Sequence, residues 1–146
     1  TLDNGLRVIT DTVSEVHSVA LGIWVNVGTR NEAPEYNGAA HMVEHMLFKG
    51  TPTRTTQQIA EIVEDVGGNM NAYTSREMTS YHIHLLKNDA GLALEILADI
   101  YQNAIMPEDE MERERHVILQ EIITKPPTQV RHVARRASAR LPLFPA

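Results

Sequence analysis

Strand-like and helix-like hydrophobic patterns alternate along this 146-residue chain, which predicts an α+β domain: a mainly antiparallel sheet with helices packed on it. Three observations carry that prediction. Val19, Leu21, Ile23, Val25 and Val27 alternate with smaller or more polar residues, at the period of two of a half-buried strand. Ile59, Ile62, Val63 and Val66 recur instead at the spacing of an amphipathic helix. Two further strand-like runs, Asn69 to Thr74 and Ser80 to Leu86, are then followed by another helical stripe.

Taken in order, Leu6 to Thr10 reads as a first strand and the run around Val19 to Val27 as a second. A short helix follows, opened by Gly38 and closed by Gly50, with Pro34 and Pro52 outside it and an apolar stripe of Ala39, Ala40, Val43, Met46 and Leu47. Thr55 with Gln58 forms a capping box for the next helix, which Gly67 ends in a left-handed cap. After the two strands, Ala93, Ile96, Leu97 and Ile100 mark a third helix. Pro107 starts a fourth, with Glu108, Asp109 and Glu110 in its first turn, where acids favour the dipole, and it runs through Met111, Val117, Ile118 and Ile122.

The chemistry concentrates in His41-Met42-Val43-Glu44-His45. Residues three and four apart on a helix are neighbours, so His41 and His45 are placed to close on one metal ion with Glu44 beside it. Two neutral imidazoles suit zinc, and a carboxylate that does not ligate is suited to take a proton from a water whose pKa the metal lowers to about 7. The order H-x-x-E-H marks the inverted zincins. On five residues alone, two ordinary polar histidines on a solvated helix remain an alternative.

A second acidic segment bears on that choice. Glu114 and Glu121 are two turns apart, hence on one helix face, and Glu121 has Leu119, Ile122 and Ile123 as apolar neighbours. A buried carboxylate needs a partner, and a zinc ion held by two histidines would be one, gaining its third protein ligand. Taken by themselves, the two acids also fit a solvated helix face.

Composition narrows the classes. No run approaches the ~20 apolar residues of a membrane span, and the net charge of −6 argues against nucleic acid as a partner. The absence of cysteine excludes disulfides, thiolate zinc sites and a cysteine nucleophile, and leaves the compartment open. His82 and His84 share a strand face but have no evident third ligand, and His17, His116 and His132 are isolated. Gly67-Gly68 lies in no phosphate-loop pattern and reads as a helix stop.

Three spaced motifs resemble a known family: HMVEH at 41–45, GGNMNAYTSREMTSY from Gly67 to Tyr81, and ERHVILQEI from Glu114 to Ile122. Together they resemble the amino-terminal catalytic domain of the M16 metallopeptidases, from about Leu2 to Ile123. LDNGLRV near the start and FKGT after the first motif are closest to the bacterial and mitochondrial processing-peptidase branch. The resemblance implies one zinc held by His41, His45 and Glu121, Glu44 as general base, and Glu114 as a further acidic residue that supports the site. It also implies that Asn71, Ala72 and Thr74, matching the element N-A-x-T, form an edge strand that holds substrate by β-augmentation. Without the family match, a plain edge strand fits the same residues.

The implied function is a zinc-dependent metalloendopeptidase acting on peptides or unfolded protein segments, completed by a second homologous M16 domain or subunit. Two alternatives are a non-catalytic M16-like subunit and a zinc-binding structural module. Bacterial cytoplasm, periplasm and mitochondrial matrix all fit.

Residues 125–146 read differently. Positions 1–124 hold 8 basic and 19 acidic residues, whereas 125–146 hold 5 basic residues, no acid and four of the seven prolines. The expectation is a truncated M16-like domain over 1–124, its last helix stopping near Lys125, followed by a basic Pro/Arg-rich tail that is foreign to the fold and loosely packed, the product of a frameshift or gene-prediction error before Lys125, with a basic linker or partner-binding arm as the alternative. A chain incomplete in this way is expected to show little peptidase activity alone.

Overall fold

The computed structural model describes residues 1–124; the helix stop at Lys125 and the basic segment 125–146 lie outside the described residues. Within them a three-stranded antiparallel sheet carries four α-helices, in the order β1 (Ser18–Val25), α1 (Ala39–Met46), α2 (Thr56–Asp65), β2 (Asn69–Thr74), β3 (Thr79–Leu86), α3 (Ala90–Asn103) and α4 (Glu108–Thr124). The sheet order is β1-β3-β2, which leaves β2 on an edge. The α+β prediction holds.

The pleat explains the layering. Register sets Leu21 opposite Ile83 and Ile83 opposite Met70, with Ile23, Tyr81 and Ala72 in the next row. These face the helices and join Leu47, Ile59, Val63, Leu85, Ala93, Ile96, Leu97 and Ile100 in one core. Fully burying a Val, Leu or Ile side chain of this core contributes about 1.5–3 kcal/mol. The other face of the sheet carries His82 and His84, whose ring centroids are 5.5 Å apart. Among the described residues, neither belongs to a three-residue group able to hold a metal.

Local chemistry sets the helix ends as expected. Thr55 accepts from the Gln58 amide while the Gln58 side chain accepts from the Thr55 amide, which closes the capping box of α2. Gly67 ends that region at φ 71°, a left-handed conformation that glycine adopts without a Cβ clash. Gly38, at φ 98°, is the N-cap of α1.

Two expectations fail. Leu6 to Thr10 is no strand: it is exposed, Ile9 at 89%. Its alternation is real, but a strand also needs a neighbour for its backbone donors and acceptors, and none pairs with it among the described residues. Val43, placed in the buried stripe of α1, is exposed, whereas Met46 and Leu47 are buried. The reason is tertiary: α1 packs against α4 and β2, so its polar face turns inward and the middle of its apolar stripe turns out.

No helix among the described residues is long and apolar enough to cross a membrane.

Candidate metal centre

One turn of α1 places His41 and His45 side by side, with their Nε2 atoms 3.2 Å apart and ring centroids at 4.7 Å. From α4, Glu121 brings Oε2 to 3.8 Å from His41 Nε2 and Oε1 to 3.8 Å from His45 Nε2. One ligand atom from each of these three residues lies within 4.8 Å of the others. Glu121 is half-buried, at 30% side-chain exposure, and one of its expected apolar neighbours, Ile123, is exposed. The truly buried acid of the pair is Glu114, which is 7% exposed.

Glu114 faces the other nitrogen of the same imidazole. Its Oε2 lies 2.7 Å from His45 Nδ1, and its Oε1 lies 2.5 Å from Lys49 Nζ. An ionised carboxylate only accepts, so this contact places a proton on Nδ1, and when the ring is neutral its Nε2 lone pair faces Glu121 and His41. Burial pushes the Glu114 carboxyl up, but the hydrogen bonds from Lys49 and then His45, with their charge, outweigh it and leave it below its ordinary value.

Glu44 stands one position before His45 and its Oε2 is buried with no hydrogen-bond partner among the described residues. Leaving a buried carboxylate oxygen unanswered is costly, which marks it as a group awaiting a donor. Nearby, the Tyr81 phenol is pushed well above its usual range, first by burial and then by the Glu44 charge.

His41, Glu44, His45, Glu114 and Glu121 line a cleft of about 360 Å³ together with Phe48, Lys49, Asn71 and Ala72. Asn71 and Ala72 come from the edge strand β2, where the Ala72 amide donates to Asn71 Oδ1 at 2.8 Å. Thr74 is not brought to the cleft: its hydroxyl donates to the Ala40 carbonyl at 3.5 Å and ties β2 to α1. The donor set is that of zinc, two imidazoles and one carboxylate, and with the unanswered Glu44 oxygen beside it the residues fit such an ion.

Sequence reasoning missed two contributors. Lys49 is the only basic residue between Arg30 and Arg54, four positions after His45, and that isolation was the available signal. Glu32 caps α1 from outside the helix: its carboxylate accepts from the Gly38 and Ala40 amides, each at 2.8 Å. No local pattern announces that contact.

Comparisons with known proteins identify the family. The model of the family described as Insulinase (Peptidase family M16) matches residues 7–139 and so enters the basic segment that begins at 125. Over 122 residues the chain is 48% identical to a protein of Arabidopsis thaliana named as a probable mitochondrial-processing peptidase subunit beta, covering 84% of this chain and 23% of that one. An uncharacterized zinc protease of Rickettsia felis is 50% identical over 121 residues, 83% of this chain and 29% of that one. A crystal structure of a protease from Helicobacter pylori superposes with a TM-score of 0.79 at 34% identity, over 83% of this chain and 29% of that chain. The chain thus spans less than a third of the length of these relatives, and it belongs to peptidase family M16.

Proposed function

We propose that this chain carries the zinc-binding half of a metalloendopeptidase active site that cleaves peptides or unfolded segments. His41, His45 and Glu121 would hold the ion, and Glu44 would be the general base. One observation supports this most: three ligand atoms converge within 4.8 Å while the Oε2 of Glu44 is buried beside them with no hydrogen-bond partner among the described residues.

Zinc, when bound, supplies Lewis acidity that lowers the pKa of a water to about 7 and polarises a carbonyl. Glu44 would take up at Oε2 a proton from the water that attacks the peptide carbonyl and return it to the departing nitrogen as the C–N bond breaks. Glu114 holds His45 through Nδ1, so that Nε2 keeps its lone pair in the cleft. The edge of β2 at Asn71 and Ala72 pairs with an extended substrate backbone, the Ala72 amide exchanging Asn71 Oδ1 for a substrate carbonyl, a mode that tolerates many side chains. Thr74 supports that edge through its bond to α1. The Arabidopsis relative is named as a subunit, and a second homologous M16 domain or subunit is the partner proposed to complete the site.

Metal analysis combined with a quenched-peptide assay tests the reading. The expected result is one zinc per chain, lost in His45→Ala and in Glu121→Ala, and cleavage by the complete assembly that a chelator abolishes and zinc restores. A chain that stays zinc-free at micromolar zinc, or zinc content indifferent to both substitutions, overturns it.

A further inference from the structure

We propose that Lys49 is a positioning residue for the His45 imidazole, acting through Glu114; this rests on the zinc reading of the same site. The two oxygens of Glu114 are divided between two donors, Oε1 to Lys49 Nζ at 2.5 Å and Oε2 to His45 Nδ1 at 2.7 Å. With both oxygens engaged, the carboxylate has one rotational setting, and that setting demands a hydrogen on His45 Nδ1. The ring is thereby turned so that Nε2 faces His41 and Glu121.

Charge explains why a cation is needed there. The cleft is lined by Glu44, Glu114 and Glu121, and Lys49 is the only Lys or Arg among the described residues that line it. Lys49 also reaches Glu110 Oε2, at 3.7 Å. Its side chain is only 19% exposed, so solvent screens these contacts less than it would surface pairs. Without the ammonium, Glu114 keeps its burial and its like-charged neighbours but loses the partner that sets its rotation. It is then free to swing from His45, and the imidazole loses its fixed tautomer.

A merely structural Lys49 would tie the end of α1 to α4 and nothing more. The two roles separate in the full chain by two readouts. Zinc affinity is measured by competition with a chelating dye, and the His45 tautomer is read from side-chain ¹⁵N shifts of the zinc-free protein. In Lys49→Met, zinc binding should weaken about tenfold, the low end of what loss of an outer-shell partner costs, and His45 should lose its single Nδ1–H form. Lys49→Arg keeps a cation and should retain both properties within about twofold. The double variant Lys49→Met with Glu114→Gln should bind zinc no worse than Glu114→Gln alone, because the lysine acts only through that carboxylate.

Wild-type zinc affinity and tautomer in Lys49→Met overturn the proposal, as does full additivity in the double variant. If the unmodified chain binds no zinc, the zinc reading fails while the tautomer comparison still decides the role of Lys49. Should Lys49→Met not fold, Lys49→Arg and Glu114→Gln carry the test: a mixed tautomer that Arg does not prevent is equally fatal.

Discussion

Two polar clusters, one around Asp99 and one around Glu114, differ in how fully their charges are answered. Asp99 on α3 receives Thr51 Oγ1 at 2.9 Å, Arg54 Nη1 at 2.7 Å and Asn103 Nδ2 at 2.9 Å. Arg54 also pairs with Glu95. Every partner there comes from the chain, and the cluster ties the segment after α1 to α3. Around Glu114, by contrast, Glu44, Glu110, Glu114 and Glu121 gather near one ammonium and two imidazoles among the described residues, and an oxygen of Glu44 has no hydrogen-bond partner among them. The first cluster is closed and serves stability. Among the described residues the second holds more carboxylates than ammonium groups, an arrangement that suits the proposed dication.

The sharpest way to break this comparison is Glu44→Gln, which preserves shape and removes the proton acceptor. Peptide cleavage by the complete assembly should fall about 10²–10⁴-fold with zinc content unchanged. Single-turnover cleavage with metal analysis on the same samples checks it. Retained activity would place the base elsewhere, and lost zinc would make Glu44 a ligand.

Next in size is the closed cluster. Asp99→Ala removes the acceptor shared by Thr51, Arg54 and Asn103, leaving Arg54 with Glu95 alone, and should cost about 2 kcal/mol of stability at pH 7. The Asp99 carboxyl lies below its ordinary value, chiefly through the Asn103 hydrogen bond, with Arg54 and Thr51 outweighing the opposing effect of burial. A depressed folded pKa gives stability that is complete above the unfolded value, near pH 4, and is lost as pH falls through the lower folded one. The gap between parent and variant should therefore be full at pH 7 and shrink below about pH 4. Urea unfolding at a series of pH values measures it, and a gap independent of pH would reopen the assignment.

The smallest effect expected is at Glu32. Removing this cap in Glu32→Ala should cost about 1 kcal/mol, concentrated in α1, because its acceptors serve the Gly38 and Ala40 amides. Hydrogen exchange should show α1 opening more readily while α3 is unaffected. Equal loosening of both helices would mean that α1 and its cluster are not a separable unit.

Much of this molecule was legible locally. The H-x-x-E-H turn, the Thr55–Gln58 capping box, the stripes of α2 and α3 and the common face of Glu114 and Glu121 all depend on neighbours within two helical turns. Helical and strand periods alone are enough to write them into the sequence. The Leu6 to Thr10 pattern shows the limit of that reasoning, since periodicity specifies which face would be buried but not whether a partner strand is there to pair with it.

What the chain determined by itself is the set of donors: two imidazoles and a carboxylate on one short helix, and two more carboxylates on one face of another. Tertiary packing decided which donors meet. The contact between His45 and Glu114 spans 69 positions, and it exists because α4 packs on α1 and turns that helix's polar face inward, leaving Val43 outside. The same packing brings Lys49 to the far oxygen of Glu114, and a separate loop brings Glu32 to the start of α1. Such pairings follow from the relative placement of whole elements, set by the core beneath them, and a local hydrophobic period carries no record of that placement.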